Sequence, residues 1–194
     1  MQFARLARAR VCLGALLVVV LLGASLLVGC TRSGAKPPNA ASSSETSQSL
    51  FPATTPNPGT QPPPPALKDP RTSVYSYMLW ISYAYRVLNS DVASMTFDPY
   101  EEVRVNSYVM YNLQEGRAID QKILSANLKS WESKGTSATV AMHEDWAYRY
   151  IDTTTGKYTT PRLNASYETT YTVVNLGGNW VVHSVEATSA VKPK

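Results

Sequence analysis

Three titratable side chains run together at His143, Glu144 and Asp145, and a second histidine stands apart at His183. Histidine beside carboxylates is the raw material of a metal site or of acid–base chemistry. Alternation along an extended strand splits the triplet. His143 and Asp145 share one face, and Glu144 shares the other with Met142 and Trp146. Two ligands without a third do not make a metal centre, so no metal site is predicted. The plain expectation for His143 and Asp145 is a solvated strand face with a His–Asp contact. Glu144 is on the face predicted to point inward. Burial there raises a carboxylate pKa, which makes Glu144 the one catalytic candidate. The competing expectation is that it bonds a tyrosine hydroxyl or Arg104, or lies near an edge. His183, between Val181 and Val185, reads as a structural or surface residue. Gly-x-Ser-x-Gly, P-loop and dinucleotide glycine motifs are absent, and no cofactor is predicted.

The other chemically distinctive residues are twelve tyrosines and four tryptophans, which set the candidate binding residues. Tyr75, Tyr77, Trp80, Tyr83 and Tyr85 crowd one helical segment and cannot all face one core. Such side chains join apolar area to a polar tip and favour interfaces and sugar stacking. Tyr77, Trp80, Trp146, Tyr148 and Tyr167 are the candidate binding residues; the alternative is an aromatic core.

The elements that must position these residues begin near residue 70. Asp69-Pro70 is a helix start, with a capping carboxylate and a proline at the first helical position. Val74, Met78, Ile81, Tyr85, Leu88 and Val92 then form one apolar face, loosened at Asn89-Ser90-Asp91. Asp98-Pro99 repeats the signal, with Glu101 and Glu102 in the first turn. Val105, Tyr108, Val109 and Leu113 mark the predicted buried face of this second helix, and Gly116 its C-terminal cap. The period then changes to two. Turns at Lys134-Gly135, "TTTGK" and "LGGN" divide four long strands. The second strand places Val140, Met142, Glu144, Trp146, Tyr148 and Tyr150 on one face. The expectation is an α+β domain over residues 70–190, with N-terminal helices packed on a strongly curved four-stranded antiparallel sheet. Residues 191–194 are a tail.

Upstream, the chain opens with a basic stretch carrying Arg5, Arg8 and Arg10, then an apolar run from Val11 to Gly29 that ends at Cys30. Residues 30–69 hold about ten prolines and few aliphatics, too little apolar surface to fold. They read as a tether, stiff at Pro62 to Pro65 and flexible where Ser and Thr dominate. A proline-rich ligand for an SH3-like domain is the sharper alternative. The formal net charge of +4 does not imply nucleic acid. Residues 71–190 carry ten basic and twelve acidic side chains, with no basic stripe, and nucleic-acid binding is excluded.

Leu27-Val28-Gly29-Cys30 resembles the bacterial lipobox. The resemblance implies removal of residues 1–29 as a lipoprotein signal peptide and acylation of Cys30, which anchors the chain in a cell membrane or outer membrane. An uncleaved single-span anchor is the alternative. Either topology leaves the arginines inside and the domain outside the cytoplasm. Loss of Cys12 with the leader leaves no cysteine for a disulfide, so the domain must rely on its core.

The stretches "EDWAYRY", "TGKY" and "YETTYTVVNLGGNWVVHSVEA" resemble extracytoplasmic domains of the nuclear transport factor 2-like superfamily. They are also similar to the inner-membrane-space domain of plastid-division proteins. The resemblance implies a cone fold over about residues 70–190. The superfamily holds enzymes, carriers and interaction domains, so it leaves function open. The expected function is that of a lipid-anchored surface protein with a non-catalytic binding domain. Its partner is an envelope protein or a cell-wall component, with a homodimer as a further possibility. The alternative is a small-molecule isomerase or hydrolase of the SnoaL-like kind, with Glu144 in the cone cavity.

Overall fold

The computed structural model describes residues 59–189. The leader, Cys30, most of the tether and the tail lie outside the described residues. Two helices, α1 (Pro70–Val87) and α2 (Pro99–Gln114), are joined by a 3-10 turn at Asp91–Thr96. Four strands follow: β1 (Arg117–Lys134), β2 (Ser137–Asp152), β3 (Leu163–Leu176) and β4 (Asn179–Ser189). They pair antiparallel in sequence order. Irregularities between Ile123 and Ser125, Leu128 and Ser130, and Thr172 and Val173 interrupt the register. Extra residues of this kind bend a strand and increase its twist. The result is the expected α+β cone, with the helices on the concave face of a curled sheet.

Local signals set the helix ends. Asp69 accepts from the backbone N–H groups of Arg71 and Thr72, and Asp98 from those of Tyr100 and Glu101. Gly116, at φ 64°, closes α2 in the left-handed region that glycine adopts without steric cost. The first helix stops earlier than its apolar spacing suggests. Leu88 takes φ 54° and donates its N–H to the Ala84 carbonyl. Val92 therefore belongs to the 3-10 turn.

The second helix is also rotated from expectation. Val105 and Val109 are buried as predicted, but Tyr108 is 39% and Leu113 49% exposed. Glu101 and Asn112 take the inner positions instead. Asn112 is satisfied there, donating to the Tyr108 carbonyl and accepting from Arg117. In β2, Val140, Met142 and Glu144 are buried as read, while Trp146, Tyr148 and Tyr150 are only half-buried. In this half of the strand Ala147 and Ile151, of the opposite parity, are buried instead. Near them Asp120 is enclosed by Arg149 and by the hydroxyl of Tyr158.

The centre of the core is partly polar. Tyr171 donates to Glu144 Oε1 at 2.7 Å, and Trp146 Nε1 donates to Oε2 at 2.8 Å. Tyr77 of α1 meets Tyr171 edge to face, with centroids 6.1 Å apart. The Tyr77 hydroxyl donates to Glu101 Oε1 at 2.8 Å. One continuous contact path thus runs from α2 through α1 and β3 to β2.

The outer edge of β4 is closed in three places by non-strand segments. The Trp180 N–H donates to the Leu67 carbonyl at 2.7 Å. Phe97 bridges Val182, whose carbonyl accepts from the Asp98 N–H. Arg104 donates to the Val185 carbonyl at 2.7 Å. An uncovered edge is a template for unwanted pairing, and this one is capped piecewise.

Residues 62–68, read from the sequence as tether, are docked on the domain. Pro62 is buried. Trp80 Nε1 donates to the Pro63 carbonyl, and the Ala66 N–H donates to Ser76 Oγ. Lys68 reaches Gly178 and Asn179 in the β3–β4 turn. Composition alone does not reveal this, because the partners are remote in sequence.

Two outcomes follow. Trp80→Phe keeps an aromatic ring, removes the donor to Pro63 and leaves a cavity where the five-membered ring was. It should cost about 2 kcal/mol and speed amide exchange across residues 62–68 before the rest of the domain, as read by hydrogen-exchange mass spectrometry. Burial, opposed by the Tyr171 and Trp146 hydrogen bonds, pushes the Glu144 pKa above its ordinary 4.5. A carboxyl whose pKa is raised on folding stabilises the fold at low pH and loses that contribution as pH rises through the native value. Denaturant titrations of Glu144→Gln should show the variant gaining on the parent protein as pH rises from mildly acidic to neutral. A stability difference independent of pH would contradict the raised value.

Candidate functional site

The structure distributes the predicted site residues over three places. The first is the core. Both Glu144 oxygens are held by donors, and the residue is 3% exposed. Its partner is a tyrosine hydroxyl, as one of the two expectations had it; Arg104 pairs with Glu101 instead. Trp80, expected at a binding surface, is 4% exposed and turned to the chain's own Pro63. Half-buried Trp146 packs against the core and points its indole N–H at Glu144, while half-buried Tyr148 lies outside it and meets Tyr150 edge to face at 6.0 Å.

The second place is the outer face of the sheet. His143 Nδ1 lies 2.9 Å from Glu168 Oε1, and Lys129 donates to Glu168 Oε2 at 2.9 Å. Asp145 accepts from Ser125 at 2.6 Å and Ser166 at 2.5 Å. These two hydroxyls, foremost among the causes, hold the Asp145 carboxyl below the usual range. Lys129 and then His143 do the same for Glu168. His143 Nε2 is 3.8 Å from Asp145, so the expected contact exists, inside a surface network whose oxygens already have donors. Among the described residues no cluster of three His, Cys, Asp or Glu side chains is placed to hold a metal ion.

His183 is structural. Its Nδ1 lies 2.6 Å from Asp98 Oδ2, and its ring stacks on Tyr100 at 4.7 Å. It braces the carboxylate that caps α2.

The third place is an open groove of about 750 Å³ between α2 and the last residues of β4. Tyr77, Tyr85, Tyr108, Tyr111 and Tyr167 line it, with Glu101 and Arg104 as its charged pair. Of the predicted binding residues, Tyr77 and Tyr167 belong to this lining; Trp80, Trp146 and Tyr148 do not. Tyr85 meets Tyr108 edge to face at 4.9 Å. Tyr108 and Tyr111 stand one turn apart with rings 27° from parallel and centroids 6.5 Å apart. Glu101 is 2% exposed. Burial raises its pKa against the pull of the Tyr77 hydrogen bond and the Arg104 charge.

Sequence reasoning missed Glu101, Tyr108 and Tyr111 as groove residues. The available signal was the spacing Glu101, Val105, Val109, Asn112, as regular a helical face as the one chosen. It was hidden by two polar residues at its ends. That face turns inward and carries Tyr108 and Tyr111 to the rim.

No family model matches the chain, and neither does any curated protein. Solved structures do. The intermembrane space region of the chloroplast protein ARC6 aligns with a TM-score of 0.56 at 17% identity, over 63% of this chain and 98% of that one. A nuclear transport factor 2-like superfamily protein from Salmonella enterica aligns at 0.46 and 8% identity, over 64% and 93%. A protein with a cystatin-like fold from Caulobacter vibrioides aligns at 0.41 and 13%, over 64% and 91%. The likeness to the ARC6 region shows the fold.

Proposed function

We propose that the chain is a membrane-anchored surface lipoprotein whose folded domain is a non-catalytic binding module for an envelope protein or a cell-wall component. The observation that carries this reading is the aromatic wall of α2. Tyr108 and Tyr111 are 39% and 48% exposed beside a groove, on a helix whose other face is packed. Exposed tyrosine clusters of this kind favour binding over chemistry. The enzymatic alternative has less support, since Glu144 is engaged on both oxygens and does not line the groove. Anchoring rests on the arginine-led apolar leader and Cys30, and the proline-rich stretch provides reach. Among the described residues no helix is long and apolar enough to cross a membrane.

In-cell crosslinking of the full chain, with Cys30→Ala as the control, tests the reading. Bands are identified by mass spectrometry, and their sensitivity to muramidase separates wall conjugates from protein conjugates. The expected outcome is an acylated protein with a specific conjugate of either kind that vanishes in Cys30→Ala. A properly acylated protein that yields no conjugate overturns it.

A further inference from the structure

Glu101, Val105, Val109 and Asn112 turn one face of α2 inward. The opposite face carries a second helical pattern that the fold leaves unused. Tyr100, Val103, Ser107, Met110 and Gln114 follow one another at three, four, three and four residues, the spacing of a helix–helix seam. All five are exposed, Tyr100 at 61% and Val103 at 67%, and exposed Tyr111 widens the row on one side. The solvent face of a helix ordinarily carries charge. From Val103 to Gln114 the only charged residue is Arg104. It is committed to Glu101 at 3.2 Å and to the Val185 carbonyl at 2.7 Å.

The pattern selects its own occupant. Ser107 is the midpoint of the seam, with Val103 and Tyr111 four residues to either side and Tyr100 and Gln114 seven. Turned end for end about Ser107, the seam meets itself. Val103 of one copy then lies against Met110 and Tyr111 of the other, and the Tyr100 phenol against the Gln114 amide. Such self-complementarity is what a two-fold interface requires. Serine at the axis is small enough for two helices to approach closely, and antiparallel helices set their dipoles head to tail. With Arg104 already paired, two copies meet without like-charge repulsion, whereas a charged partner helix finds no counter-charge. The seam exposes roughly 500 Å² on each copy, the centre of the ~800 Å² a side that a stable interface needs. Exposed Asn106 and Leu113 flank it and widen it toward that figure. Strand pairing between copies through β4 is blocked by Arg104 at Val185 and by Phe97 at Val182.

We propose that α2 is a self-association helix, and that two copies of this chain pair it antiparallel about a two-fold axis at Ser107. Val103, Met110 and Tyr111 are the apolar contacts. The assignment rests on the binding-module reading and names a second copy of the chain as the partner of the α2 wall.

The test is disulfide trapping in cells. The full chain carrying Ser107→Cys is oxidised with copper phenanthroline and run on a non-reducing gel. The parent protein, with Cys12 and Cys30, sets the background. Thiols facing each other across the axis come within disulfide reach, and a dimer band about tenfold above background is expected. Thr154→Cys, exposed in the β2–β3 loop, should stay at background. Val103→Glu or Met110→Lys, each added to Ser107→Cys, should cut the band about tenfold by burying an unpaired charge in the interface. Both positions are exposed in the single copy, so neither change disturbs the fold. A Ser107→Cys band no stronger than that of Thr154→Cys, or one that survives both charged variants, overturns the proposal. So does a dimer that forms through another face and leaves Ser107→Cys untrapped. A crosslink from the parent chain to a different protein or to wall material, without the Ser107→Cys dimer, overturns self-pairing and leaves the binding-module reading standing.

Discussion

Two buried carboxylates tie the elements of each layer together, one between the helices and one between strands of the sheet. Glu144 on β2 and Glu101 on α2 are both buried, and each is held by a tyrosine hydroxyl from a different element. A buried carboxylate without partners costs several kcal/mol. Tyr77 must therefore stay against Glu101, and Tyr171 against Glu144. Edge-to-face contact between the two tyrosines then ties α1 to the sheet. Within each layer the hydrogen-bonded carboxylates resist slips, α2 against α1 and β2 against β3, since a shift of about an ångström orphans an acceptor. The rotation of α2, and with it the exposure of Tyr108 and Tyr111, follows from seating Glu101 in this arrangement.

Curvature and edge closure are linked. Irregularities in β1 and at the β3–β4 pairing let the sheet wrap the helices, which brings the outer edge of β4 against the α1–α2 connection and the N-terminal half of α2. Arg104 belongs to both effects. Its guanidinium closes the strand edge at Val185 and stands over Glu101 at the floor of the groove. A single side chain both lines the groove and caps the strand edge beside it.

The features legible in the sequence were local. Asp69-Pro70, Asp98-Pro99, Gly116 and the glycine turns act on residues a few positions away, and each is where the spacing places it. Strand alternation was legible where one face is buried, through Val140, Met142 and Glu144. It failed further along β2, where Ala147 and Ile151 are buried on the other face near Asp120, Arg149 and the distant Tyr158. The face of α2 was misjudged because Glu101 and Asn112 are polar, and only tertiary partners make polar residues acceptable inside. The groove was half visible through Tyr77 and Tyr167. Its rim depends on how α2 is turned, and that is decided by Tyr77, twenty-four residues before Glu101.

The docked segment from Pro62 to Lys68 has a mechanical consequence. A pull arriving from upstream does not reach the N-terminus of α1 directly. It meets first the buried Pro62 and the Trp80 bond to Pro63, then Ala66 against Ser76 and Leu67 against Trp180. These contacts lie in series ahead of Asp69, the residue that caps the helix. Tension along the chain therefore loads these contacts before it loads the cap of α1.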